Sequence, residues 1–268
     1  MRPGQDTHWQ EFGQQFDSSV ANPIWRRFSD ALVGEWVIRH LPRAPLARVL
    51  KTDLFEEAVG GGIYPLLQSV SERVFAIDLS GPVCRRAACR YKDLLVLISD
   101  VRKLALARSS FDLIVSISTL DHFEDASHID AALRELFGAL KPGGVLLVTL
   151  DNPANPVVRL RNAIPWWFLK RFALVPYPTG ATLGAEEFRK ALERTGFEVS
   201  AAATLLHVPR SVAILIARLF SHIPGSAPAS LFCACAGMFE VLGRLPSATF
   251  TGHYTAFQAQ RPENGRKT

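Results

Sequence analysis

Cysteine is scarce in this chain, and its spacing suits neither a metal centre nor a staple. Cys84, Cys89, Cys233 and Cys235 form no paired C-x-x-C units of a zinc site and are too few for a disulfide scaffold, so buried or half-buried free thiols are expected and no metal is. Long apolar runs are missing as well. Val212 to Phe220 is short and interrupted by Arg218, and Leu231 to Leu242 contains Glu240, which excludes a transmembrane helix at either place. Residues Met1 to His8 hold no apolar signal core, and a cytoplasmic protein is expected. No internal repeat and no low-complexity tract is found. An N-P-P-Y type motif is absent after the fourth strand, as is a basic stripe interleaved with aromatics, so nucleic acid is not an expected partner despite a net charge of +5 and a pI near 9.2. Part of that charge falls on Arg261, Arg266 and Lys267 near the end of the chain. A solvated surface explains the scattered remainder first, a membrane-facing patch second.

What is present is enough for one α/β domain with insertions: 268 residues, of which 48% are apolar. The mean hydropathy of +0.12 lies on the apolar side and asks for an explanation. Residues 9 to 41 carry Trp25, Phe28, Leu32, Trp36 and Leu41 at helical spacing, which predicts a helical cap over residues 1–44, closed by Pro42 and Pro45. Strands and helices then alternate, as in a parallel sheet covered on both faces. Strands are expected at Ala47–Lys51, Arg73–Ile77, Leu95–Ile98, Phe111–Ile117 and Val145–Leu150. Helices are expected from Gly62 to Gln68, from Gly81 to Tyr91, and from His128 to Leu140, where Lys141 to Gly144 stop the last one.

Residues 45–152 thus form a core for cofactor binding, followed by a proline- and aromatic-rich stretch, 153–183, that reads as a lid or as ordinary packing. Within it, Pro165 to Leu169 and Val175 to Pro178 stand out, with the Tyr177 hydroxyl available to an acceptor. A helix from Gly184 to Thr195 and a strand from Phe197 lead into residues 207–250, an apolar helical insertion before the last strand, Tyr254–Gln260. Residues 184–206 and 251–260 complete the sheet.

In such a sheet a ligand sits beyond the carboxyl ends of the strands, where strand order reverses. Asp78 directly follows Val74-Phe-Ala-Ile77, and an acid there can accept from both ribose hydroxyls of an adenosine. Asp100, after Val96-Leu-Ile-Ser99, can accept from the exocyclic amine of adenine. Either acid alone can be a helix cap or a turn residue; the two together narrow the choice.

Four words of the chain, Ala76-Ile-Asp-Leu-Ser80, Ser99-Asp-Val101, Ser110-Phe-Asp-Leu-Ile-Val-Ser116 and the stretch Leu136 to Val148, with its LKPGG turn, resemble in order and spacing the class I S-adenosylmethionine-dependent methyltransferase family. The resemblance covers roughly residues 45 to 206 and the last strand. It implies a Rossmann-like seven-strand sheet whose last strand is antiparallel, with helices on both faces, and S-adenosylmethionine as cofactor. It also implies cofactor contacts at Asp78, Leu79, Asp100, Val101 and Thr119.

The first loop departs from the family pattern. Instead of a G-x-G motif, the strand runs into Lys51-Thr-Asp-Leu-Phe-Glu-Glu-Ala-Val-Gly60-Gly-Gly62, and the stretch from Val49 to Asp78 is longer than usual. An insertion, with Gly60 and Gly62 taking the glycine roles, is the simplest account. Asp53, nearest the strand end, is expected to pair with the cofactor's ammonium, whereas Glu56 is expected on a solvated loop face and Glu57 fits either role.

Methyl transfer needs alignment of nucleophile and sulfonium more than a fixed triad. His122, in Ser118-Thr-Leu-Asp-His-Phe123, is the leading candidate for a general base, although many relatives carry a histidine there without that use. Asp151, before Asn152-Pro153, either positions a hydroxyl or makes an Asx turn. The expected activity is methylation of oxygen or carbon on a lipophilic small molecule, and the alternative is a non-catalytic scaffold or membrane-associated partner on the same fold. The insertion suits a lipophilic substrate or shallow contact with a membrane surface; a homodimer interface competes with both.

Overall fold

The computed structural model describes residues 22–123, 125–164 and 180–263. The expectations placed on Trp9, on Pro165 to Leu169 and on Tyr177 lie outside the described residues.

Helix α1 (Pro23–Arg39) starts where Asn22 accepts from the backbone N–H groups of Ile24 and Trp25, with Pro23 in the first turn. Strand β1 (Leu46–Thr52) follows, then two short helices, α2 (Phe55–Val59) and α3 (Tyr64–Val70). Next come β2 (Ser71–Asp78), α4 (Gly81–Arg90), β3 (Leu95–Ile98), β4 (Phe111–Ile117), α5 (Ser127–Ala139) and β5 (Leu140–Asp151). The later elements are α6 (Pro156–Ala163), α7 (Ala185–Thr195), β6 (Glu198–Leu205), α8 (Arg210–Phe220), α9 (Ala227–Met238), a 3₁₀ turn (Phe239–Arg244), α10 (Ala248–Thr251) and β7 (Tyr254–Gln260).

The seven strands lie in the order β3-β2-β1-β4-β5-β7-β6, with β7 antiparallel to both neighbours. Strand order therefore reverses between β1 and β4, and their carboxyl ends open the crevice that a ligand uses in such sheets. Alternation along the central strands feeds two cores. Leu50, Ile114, Leu146 and Val148 pack on one face with Leu133, Leu136 and Phe188, while Val49, Leu113, Val115, Val145 and Leu147 pack on the other with Trp36, Tyr64 and Leu67.

At the LKPGG turn, α5 ends at Ala139, Leu140 pairs with Phe111, and the ladder resumes at Val145 opposite Leu113, so the turn bulges out of the sheet rather than lying before it. A third core lies mostly outside the sheet and meets it at Tyr254 of β7. Trp25 and Phe28 of α1 meet Leu206, Ala213 and Ala217, and Phe232 and Ala236 of α9. The Phe28 and Phe232 rings pack edge to face with centroids 6.1 Å apart.

Candidate functional site

A cavity of about 680 Å³ runs from the carboxyl ends of β1 to β4 to the facing sides of α1 and α8. Its floor begins where β1 leaves the sheet. Asp53 turns the chain with a left-handed φ of 70°, a conformation that aspartate tolerates better than most residues. Its N–H donates to the Ile77 carbonyl at 2.9 Å, and its own Oδ1 accepts from the Phe55 N–H at 2.7 Å. On the adjoining strand end, Asp78 accepts from the Leu54 N–H through Oδ2 at 2.9 Å and from the Ser80 N–H through Oδ1 at 2.7 Å.

Two carboxyls thus share one corner of the cavity. Burial, reinforced by the neighbouring Asp78 charge, pushes the Asp53 carboxyl up to about 7. Burial also raises Asp78, against the two N–H bonds that favour its charged form. Each Asp78 oxygen retains capacity for a second donor, and the buried Ser80 hydroxyl beside it has no hydrogen-bond partner among the described residues. A ligand with vicinal hydroxyls and a cationic head supplies what this corner lacks, and S-adenosylmethionine has both.

Behind the corner lies a device that sequence reasoning missed. Lys51 sits in β1 with only 4% of its surface exposed, pairs with Glu57 at 2.9 Å and donates to the Asp53 carbonyl. Glu57, fully buried, also accepts from the Ile63 and Tyr64 N–H groups at 3.1 and 3.3 Å, which ties β1 and α2 to the start of α3. The functional option left open for Glu57 is therefore replaced by an internal partner. Glu56 is half-buried rather than on a solvated face: its Oε2 lies 2.8 Å from the Arg26 guanidinium, which also donates to the Glu56 carbonyl at 2.6 Å. A lysine at the end of the apolar run Val49-Leu50, followed by three acids within six positions, was the available signal.

The glycines differ from expectation too. Gly60 caps α2 with a φ of 102° and packs under the Arg90 guanidinium, outside the cavity lining. Gly62 does line the cavity, but its N–H goes to Asp30 of α1 at 2.8 Å, and a Cβ there would lie 2.3 Å from the Glu57 carboxylate. The strand-end turn is made by Asp53 alone.

Leu79, Val101 and Thr119, for which cofactor contacts are expected, line the cavity. Thr119 shares a hydroxyl contact of 2.8 Å with Thr52, which in turn donates to Ser116 at 2.9 Å. Asp100 lines it as well, but its carboxylate is clasped by Arg102 through Nε at 2.9 Å and Nη2 at 2.6 Å. Partial burial opposes charge at Asp100, yet those bonds hold its carboxyl below the usual range. Arg102 also lies over the Phe123 ring, 5.3 Å from its centroid.

His122 closes a 3₁₀ turn, Leu120–His122, and lines the cavity with its Nε2 4.0 Å from Asp121 Oδ1. Asp121 is buried and accepts from the Ser118 hydroxyl at 3.0 Å and the Asp151 N–H at 2.7 Å. Asp151 itself is not part of the cavity lining. Its carboxylate bonds to Arg161 and lies 3.5 Å from His253 Nε2. Burial alone would raise the Asp151 carboxyl, but His253 and Arg161 hold it below the usual range. Burial and the Arg210 charge lower His253 to about 3, so at neutral pH Arg161 balances this acid. Asp151 belongs to a structural cluster that joins β5, α6 and the entry to β7. Its expected catalytic role has no geometric support.

Opposite the acids the wall changes character. Trp25 and Val33 of α1, Leu206, Ile214 and Leu215, and Tyr254 give it apolar surface, interspersed with Asn22, Arg26, Ser29 and Asp30 from the α1 side and Arg210, Ser211 and Arg218 of α8.

Residues 56–148 match the methyltransferase domain family. A probable S-adenosylmethionine-dependent methyltransferase of Mycolicibacterium smegmatis is 27% identical over 156 residues, 58% of this chain and 55% of that protein. A malonyl-[acyl-carrier protein] O-methyltransferase of Enterobacter lignolyticus is 30% identical over 145 residues, 53% of this chain and 51% of that one. The chain spans about half the length of these curated relatives. Among solved structures, the N-methyltransferase NodS of Bradyrhizobium japonicum in complex with S-adenosyl-L-homocysteine superposes with a TM-score of 0.57 at 16% identity, over 97% of this chain and 100% of that one, a likeness of fold. The matched segment runs from α2 to β5 and holds both Asp78 and Asp100; over that segment the chain is similar to the methyltransferase domain family, and the sheet order with its antiparallel last strand is the Rossmann-like arrangement that the resemblance implied.

Proposed function

We propose that this protein transfers the methyl group of S-adenosylmethionine to an oxygen or carbon of a lipophilic small molecule. One observation carries the reading: a single cavity joins an acid-lined corner to a wall on which Trp25, Val33, Ile214 and Leu215 offer apolar surface. When bound, the cofactor supplies a methyl group already activated on a sulfonium. Asp78 then holds hydroxyls, Asp53 pairs with a cationic head, and Leu79 and Val101 offer apolar surface to a flat ring. Trp25, Ile214 and Leu215 bind the acceptor by apolar contact and keep water from it. His122, which lines the same cavity with its Nε2 4.0 Å from Asp121 Oδ1, takes a proton from an acceptor hydroxyl where one must be lost. The name of the Enterobacter relative supports oxygen as the methylated atom.

The test is a radiolabel assay: transfer from methyl-labelled S-adenosylmethionine into organic-extractable acceptors, beside calorimetric binding of the demethylated product. Asp78→Ala is expected to abolish both. Micromolar product binding unchanged in Asp78→Ala and Asp100→Ala would sink the site assignment.

A second reading, a scaffold without catalysis, is favoured by the loop after β1, where Lys51 and Glu57 fill space with an internal ion pair. Failure to bind either cofactor or product, in a protein that remains folded, would select it.

A further inference from the structure

An amphipathic helix normally turns its polar side outward, and α8 does not. Ala213 and Ala217 face the protein, fully buried, while Val212, Leu215 and Leu219 on the opposite side are 55%, 58% and 61% exposed. Helix α9 repeats the pattern: Phe232 and Ala236 are buried, and Leu231 and Met238 are 57% and 73% exposed. Large apolar side chains left on the exposed sides of both helices reverse the economy of a water-facing helix.

Two further observations identify what covers this surface. From Leu206 to Phe239 the chain has no aspartate or glutamate, and Arg210 and Arg218 are its arginines. The surface also continues into the cavity, because Leu215 and Arg218 are at once exposed and part of the cavity lining. A second copy of the chain would bring this acid-free segment against itself, since a two-fold interface pairs a patch with its own equivalent, and the segment holds no acid to set against Arg218. An anionic bilayer answers both features, with phosphates for Arg218 and acyl chains for the leucines. Spanning is not at issue: no helix among the described residues is long and apolar enough to cross a membrane.

We propose that α8 and α9 lie in the plane of an anionic lipid surface, so that the cavity mouth at Leu215 and Arg218 opens at headgroup level. A lipophilic acceptor then enters from the bilayer without crossing water. The entry route rests on the acceptor proposed above; the attachment does not.

The test is co-sedimentation of the whole protein, without cofactor, with vesicles of phosphatidylcholine alone or with phosphatidylglycerol mixed in. Binding to the mixed vesicles, weakened by salt, is expected. The double variant Val212→Asp, Leu219→Asp is expected to lower it by roughly tenfold or more. Neither residue lines the cavity, so calorimetric binding of the demethylated cofactor reports whether the variant is folded and whether the cofactor reading stands. Absence of wild-type binding to the mixed vesicles, or equal binding by the double variant, overturns the proposal. So does a concentration-dependent dimer that the double variant abolishes, which would assign the face to a second copy.

Discussion

The two walls of the cavity are built on opposite physical terms. On the strand side, charge is held in place by fixed partners: Lys51 buried against Glu57, Asp78 between two N–H groups, and the partly buried Asp100 in the grip of Arg102. On the helix side, basic and apolar side chains are mixed, and large apolar side chains stand in the open along α8 and α9. The difference separates two demands. A wall made of buried charges is intolerant of change and specifies one ligand. A wall of alanine-packed helices with exposed leucines tolerates change and specifies only a class.

Four measurements break or sharpen this contrast. The largest effect is expected at Lys51. Removing its charge in Lys51→Met strands Glu57 in the interior, which costs about 3–5 kcal/mol and lowers the thermal midpoint by about 10 °C. Calorimetric melting reads this directly, and a variant as stable as the parent would mean the strand side is not held by charge. Next comes Asp78→Asn, expected to weaken binding of the demethylated cofactor on the order of a hundredfold, about 3 kcal/mol, through loss of charge-assisted hydrogen bonds. Titration calorimetry on a variant with unchanged circular dichroism separates binding from folding.

A third effect is set by pH. Burial and Asp78 raise Asp53 to about 7, so the free folded protein keeps a proton there that the unfolded chain releases near pH 4. Between those values the free protein loses stability as pH rises, and a ligand ammonium that needs the carboxylate binds more tightly as pH rises. Product affinity is therefore expected to climb by up to about tenfold per pH unit below 7 and to level off above it. Asp53→Asn should flatten that profile; an unchanged slope would move the titrating group elsewhere. The smallest effect is expected on the helix side. Val212→Ser and Leu219→Ser should change unfolding free energy by less than about 0.5 kcal/mol in urea titrations, because these side chains contribute little to the folded monomer. A loss of several kcal/mol would show that they are part of its core.

The sheet was legible in the sequence because its signals are local. Phe111 to Ile117 is a mostly apolar run, and Asp78 directly ends the apolar run Val74 to Ile77. The site was legible only where a residue's neighbours in space are its neighbours in sequence. Asp151 sits at a strand end just as Asp78 does, but Arg161 and His253, brought to it by the fold, occupy it. Asp100 was found as a lining residue, yet Arg102 two positions later takes its carboxylate, which the sequence does show. Lys51 escaped notice because a charge in a buried strand makes sense only once Glu57 has folded back over it.

Strands β6 and β7 meet in register, Leu205 opposite Tyr254, and the His253 N–H donates to the Leu205 carbonyl at 2.9 Å. Everything that distinguishes the helix side after α1 leaves and re-enters the sheet across that one rung. The α8–α10 segment is thus a cassette: its ends are already joined, so its length and composition can be exchanged at little cost in chain closure while the acid-tipped strands stay as they are. In this architecture the choice of acceptor and the grip on the methyl donor can be inherited separately.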